Sequence, residues 1–76
     1  MFNPSSFLTK EYLSQSRVIA KGNKIRDIEQ LVNEYGGSKK NWVKKSTPVI
    51  FIDGKNAEIH WYEHYGIGRV KEKIKW

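Results

Sequence analysis

The stretch "TPVIFIDGKNAEIHWYEHYGIGRVKEKIKW", residues 47–76, decides the fold. Three runs rich in β-branched and aromatic residues, "TPVIFI", "AEIHWYE" and "RVKEKIKW", are separated by "DGKN" and "HYGIG". Period-two alternation interrupted by glycine-bearing turns is the pattern of an antiparallel meander. With Gly54-Lys55 as the tight loop, Ile52 faces Ala57, Ile50 faces Ile59 and Pro48 faces Trp61; Val49, Phe51, Glu58, His60 and Tyr62 take the other side. In the last run Val70, Ile74 and Trp76 alternate with Arg69, Lys71, Lys73 and Lys75, so four cations share one side. Glu63 and Glu72 fall on the nominal core side, which points to frayed strand ends or a bulge.

Upstream the period is helical. In "GNKIRDIEQLVNEYGG" Ile25, Ile28, Leu31, Val32 and Tyr35 form one stripe, with Asn23 as N-cap and Gly36-Gly37 as terminator. "NPSSFLTKEYLSQS" offers Pro4 and the capping residues Ser5, Ser6 and Thr9, enough for one or two helical turns, and "SKKNWVKK" reads as a basic connector pinned by Trp42. The expected architecture is a single α+β domain over residues 1–76, with a short helical segment in 1–20 and helix, connector and meander in 21–76. Its N-terminal helices pack on one face of an antiparallel sheet of three or four strands, against Ile50, Ile52, Ile59, Trp61, Val70 and Ile74.

The charge of +6 is uneven. Residues 1–38 carry five basic and four acidic groups, whereas residues 39–76 carry nine and four, or +1 against +5. Such asymmetry favours a polyanionic partner, although lysines also solvate small domains and protect sheet edges. Cysteine is absent, which excludes disulfides and thiolate chemistry. No segment has the apolar length of a membrane span, and "MFNPSSFLTKEY" lacks the basic start and apolar run of a signal peptide. No phosphate-binding glycine loop, nucleophile elbow or heptad repeat is present. His60 and His64, with Glu63, make a poor zinc set, because strand spacing separates the histidines by about 13 Å. No metal or cofactor is expected.

The side left over by the core pairing holds His60 and Tyr62 beside the Arg69, Lys71, Lys73 and Lys75 row, with Lys44 and Lys45 arriving from the connector. Cations interleaved with aromatic faces suit a phosphodiester backbone with unstacked bases. The succession of "GNKIRDIEQLVNEYGG", "KKNWVKK" and "EIHWYEHYGIGRVKEKIK" resembles the C-terminal ribonuclease toxin domains of bacterial polymorphic and contact-dependent inhibition systems, the barnase, EndoU, colicin and RelE type of nuclease. The likeness spans about residues 21–75, and "HWYE" is its most specific piece. It implies metal-independent cleavage of RNA, often transfer RNA, a cytoplasmic site of action, delivery within a larger toxin protein, and an acidic cognate immunity protein or antitoxin.

Such cleavage needs a base for the 2′-hydroxyl, a cation for the phosphorane oxygens and an acid for the leaving 5′-oxygen. On the resemblance, His60 is the first proton-transfer candidate and His64 the second, Tyr62 stacks or donates, and Lys44 and Arg69 complete the catalytic set. Lys39, Lys40, Lys45, Lys71, Lys73 and Lys75 hold RNA. Two other readings stay open: a non-catalytic nucleic-acid-binding module, and an interaction or inhibitor module docking on an acidic protein.

Overall fold

A computed structural model describes residues 3–76; the first two positions of the expected N-terminal segment lie outside them. A 3-10 turn at Pro4–Phe7 leads to α1 (Lys10–Ser14) and β1 (Arg17–Lys21); a second turn, Gly22–Lys24, leads to α2 (Ile28–Tyr35). After a third turn, Lys39–Asn41, come β2 (Trp42–Ser46), β3 (Ile50–Ile52), β4 (Lys55–His64) and β5 (Gly68–Lys75). This is the α+β class expected from the change of period, with five strands and with helices interleaved among them. "RVIAK" and "WVKKS", read respectively as part of the helical segment and as connector, pair with each other as β1 and β2. Each is too short to declare itself without its partner.

Strand β4 is the spine. On one edge its C-terminal half pairs with β2 and its N-terminal half with β3, while β5 runs along the other edge. The β3–β4 loop is Asp53-Gly54, not Gly54-Lys55, because both loop residues sit at positive φ (54° and 75°), the mirror-image turn that suits hairpins and that Asp-Gly tolerates. Ile50 therefore faces Ala57, two positions from the expected register. A shift of two leaves every side chain on its expected side.

Between β2 and β3 the register slips by one residue, since Ser46 faces His60 but Ile50 faces Ala57. Pro48 sits in this bulge, where its missing N–H costs nothing. Thr47 holds the gap closed: its N–H donates to the Ile59 carbonyl, and its Oγ1 accepts from the Ile59 N–H, both at 3.0 Å. The hydroxyl stands in for a backbone carbonyl.

Both faces of β4 are covered. On the first, Ile50, Ile52, Ala57, Ile59 and Trp61 pack under Phe7, Leu8, Tyr12 and Leu13 of the N-terminal segment, with Ile74 alongside. On the second, Ile25, Ile28, Leu31 and Trp42 pack with Ala20, Val32, Tyr62 and Val70. Helix α2 thus lies on the Tyr62 face and not, as expected, on the Trp61 face. The N-terminal segment has its own apolar set for the Trp61 face, and the α2 stripe instead meets Trp42 and Val70, which flank Tyr62. The helix begins at Ile28 behind Asp27, leaving Ile25 buried in the extended approach, and Gly36 at φ 83° ends it. Thr9 caps α1 by accepting from the Tyr12 N–H at 3.2 Å.

Thr47→Val should cost about 1–3 kcal/mol, since it strands the buried Ile59 N–H, whereas Thr47→Ser keeps the hydroxyl and loses less. Urea unfolding of the two variants measures the difference.

Candidate functional site

The Tyr62 face of the sheet is only half roofed. Beyond Ile25, residues 24–27 stand away from β4 and β5, and a cleft of about 370 Å³ opens between them. His60, Trp61 and Tyr62 of β4 lie against it, with Lys71, Lys73 and Lys75 of β5, Lys44 of β2, Ala20 of β1, and Lys24, Arg26 and Asp27 before α2. Six cations and one carboxylate line the space. Among the described residues only Lys71 of these six forms an ion pair, with Glu34 at 3.3 Å. The other pairs join Lys39 with Glu29, Lys45 with Glu63, and Glu58 with Arg17 and His60, of which only His60 lines the cleft. Five unneutralised cations around one cavity create a positive potential focused by the protein walls.

A bulge in β5 selects which cations arrive. Between Tyr62↔Val70 and His60↔Lys73 the register slips by one, and Lys71 takes φ 56°. Past the slip, Lys73 and Lys75 share the face of His60 and Glu58; before it, Val70 shares the face of Tyr62, and Arg69 turns to the Trp61 face opposite Glu63. The row of four therefore splits, with Arg69 on the far side of the sheet. Glu72 follows to that far side, where it accepts from the Ser5 hydroxyl at 2.9 Å. A left-handed lysine costs about 1–2 kcal/mol relative to relaxed backbone, and such strain gathers where a side chain must be re-aimed.

His60 is fixed by its neighbours. Its Nε2 lies 2.9 Å from Glu58 Oε1, and Glu58 is held in turn by the Ser46 hydroxyl at 3.3 Å and Arg17 at 3.5 Å. The His60 hydrogen bond is the main reason the Glu58 carboxyl sits below the ordinary carboxylate range; Ser46 and Arg17 add to it against the cost of burial. With Nε2–H donating to Glu58, the neutral ring carries its lone pair on Nδ1, which is buried with no hydrogen-bond partner among the described residues. A carboxylate, an imidazole and an open nitrogen form the orienter and base of a proton-transfer pair. Tyr62, with Lys44 Nζ 5.7 Å from its ring centroid, has its phenol pKa raised by burial and then by Asp27, so it keeps its proton as a donor.

His64 is placed elsewhere. It is buried against Trp42 with ring centroids 5.1 Å apart, its Nε2 accepts from the Ser38 N–H at 3.0 Å, and its Nδ1 meets the Tyr65 carbonyl at 2.6 Å. Both nitrogens are used, and the acceptor role of Nε2 fixes a neutral ring. Gly37 lies so close that a Cβ there would fall 2.5 Å from Nε2. Trp42 Nε1 donates to the Gly36 carbonyl at 3.0 Å, so the end of α2 is tied to the sheet through these two rings.

Of the residues singled out from sequence, the cleft gathers His60, Tyr62, Lys44, Lys71, Lys73 and Lys75. It does not gather His64, Arg69, Lys45, Lys39 or Lys40. Lys45 shares the Trp61 face with Glu63, which burial pushes up but which the bonds from Trp61 Nε1 and Lys45 hold below its ordinary value. Sequence reasoning missed Lys24, Arg26 and Asp27. Taking Asp27 instead of Asn23 as the helix start would have placed both cations in an extended approach on either side of the inward-facing Ile25. Among the described residues no three His, Asp or Glu side chains converge as metal ligands, and no helix is long and apolar enough to cross a membrane. Comparison with known proteins finds no family model that matches, and no significant match to a curated protein or a solved structure.

Folding lowers the Glu58 and Glu63 carboxyls from an ordinary value of 4.5, so the stability they add is complete above that pH and is lost as pH falls through the lowered values. Glu58→Gln should lower stability at pH 7 and lose less than wild type on acidification to pH 3, as read by urea midpoints. Lys71→Gly should stay within about 1 kcal/mol of wild type because glycine accepts the left-handed backbone, whereas Lys71→Val should lose about 2 kcal/mol. Thermal melts compare the two.

Proposed function

We propose that the chain is a metal-independent endoribonuclease that binds RNA in the cationic cleft and cleaves it with His60. The observation that carries this reading is the convergence of five cations, without acidic partners among the described residues, on a cleft lined by His60, whose Nε2 is held by Glu58 and whose Nδ1 is buried and unpartnered among them. Nδ1 takes the proton of a ribose 2′-hydroxyl, and the 2′-oxygen attacks the adjacent phosphorus. Lys71 and Lys73 stabilise the charge gathering on the non-bridging oxygens. The 5′-oxygen leaves with a proton from Tyr62, whose phenol burial keeps protonated, and a 2′,3′-cyclic phosphate remains. The imidazolium formed on His60 is stabilised by Glu58.

Transfer RNA is the target class, and an acidic immunity protein or antitoxin is the matching regulator; both rest on the resemblance of the sequence to toxin nucleases. A specific observation favours a second reading, the non-catalytic nucleic-acid module. His60 Nδ1 exposes less than 1 Å² to solvent, so a substrate must displace part of its surroundings to reach it.

The two readings part on one experiment. Wild-type protein with total RNA in EDTA should give discrete fragments ending in cyclic phosphates, and His60→Ala should cut the rate at least about a hundredfold while leaving RNA affinity within a few-fold. Lys73→Ala should weaken binding and reduce the salt slope by about 0.7. Cleavage by His60→Ala at the wild-type rate removes His60 from the chemistry. Intact RNA with salt-sensitive binding selects the second reading.

A further inference from the structure

Phe51 lies outside the cleft but on the same face. Its neighbours Ile50 and Ile52 point into the core, at 4% and 1% exposure, while Phe51 is 77% exposed. It pairs with Asn56, which shares a side of β4 with Glu58 and His60. Cross-strand partners stand on one face, so Phe51 sits four β4 residues, about 13 Å, from His60. Glu58 stands between them, paired with Arg17 and His60, and along the far edge of β4 the register brings Lys75 opposite Glu58 and Lys73 opposite His60, neither lysine with an acidic partner among the described residues. Helix α2 covers the other end of this face, over Tyr62 and Val70. Toward Phe51 the face becomes exposed: Glu58 is partly buried, and Asn56 and Phe51 are exposed.

An exposed aromatic ring at the end of a cation track is what a flexible polyanion with planar bases can use and a stacked duplex cannot, because a duplex keeps its base faces covered. We propose that Phe51 is a base-stacking platform that makes the site selective for single-stranded RNA: a nucleotide flanking the one at His60 stacks on the ring while Lys73 and Lys75 hold the intervening phosphates. This rests on RNA binding in the cleft, and names its substrate class. A lone exposed aromatic has no such meaning on its own; its register with His60 and the two unpaired lysines gives it one.

The test is anisotropy binding of a fluorescent 2′-O-methyl RNA oligonucleotide, which cannot be cleaved, as single strand and as duplex. Wild type should prefer the single strand. Phe51→Ala should lose about tenfold in single-strand affinity with an unchanged salt slope and unchanged duplex binding, and Phe51→Trp should restore the affinity. Equal affinity of Phe51→Ala and wild type for the single strand, with wild-type binding intact, overturns the stacking role alone. So does failure of Phe51→Trp to restore binding when its melt matches wild type. Absence of any wild-type RNA binding overturns the role together with the reading of the cleft.

Discussion

The whole molecule depends on the burial of one strand from both sides. Strand β4 alternates Ala57, Ile59 and Trp61, which face one apolar layer, with Glu58, His60 and Tyr62, of which Tyr62 meets the second. For a chain of 76 residues this is an economical use of surface, because one backbone serves two cores. The side chains at the deepest points, Trp61 and Ile59 on one face and Trp42 and Leu31 on the other, are each 0–1% exposed. Full burial of residues this large contributes on the order of 2–3 kcal/mol apiece. Buried polar side-chain atoms are then met by partners, with His60 Nδ1 the exception among the described residues.

That constraint explains the electrostatics of the cleft. The roof over the Tyr62 face stops short of His60, so a half-buried imidazole lies beside water-accessible cations. The His60 hydrogen bond keeps Glu58 a carboxylate against the cost of its partial burial, whereas burial itself makes Tyr62 hold its proton. His64, four residues along, has the same side-chain type but closed surroundings, and it serves as a rivet between β4 and the end of α2.

The meander, the α2 stripe and the inward set of β4 were legible because they rest on local spacing, which the sequence carries without help. The pairing of His60 with Tyr62, Lys44, Lys71, Lys73 and Lys75 was legible for the same reason: alternation places them. Strands β1 and β2 were not, since five residues acquire strand character only from a partner more than twenty positions away. The departure of Arg69 was hidden because it turns on a single extra residue, and lysine at 71 gives no sign of left-handed backbone as glycine would. The misplaced helix has a different cause. Periodicity tells which stripe of α2 is apolar but not which face of the sheet receives it, and the choice was made by Phe7, Leu8, Tyr12 and Leu13 claiming the other.

Those four residues have a consequence for the growing chain. Ser5 reaches Glu72 across 67 positions, and the apolar floor under the N-terminal segment is built from Ile50, Ile52, Ile59, Trp61 and Ile74. On a ribosome the segment therefore emerges before the strands that floor it and waits for β3, β4 and β5 before it has anywhere to dock. Strands β2 to β5, joined by loops of two or three residues, close with little loss of chain entropy, whereas this last closure spans almost the entire sequence. The order of synthesis and the order of assembly run in opposite directions, and the Trp61 face is not complete until β5 has been made.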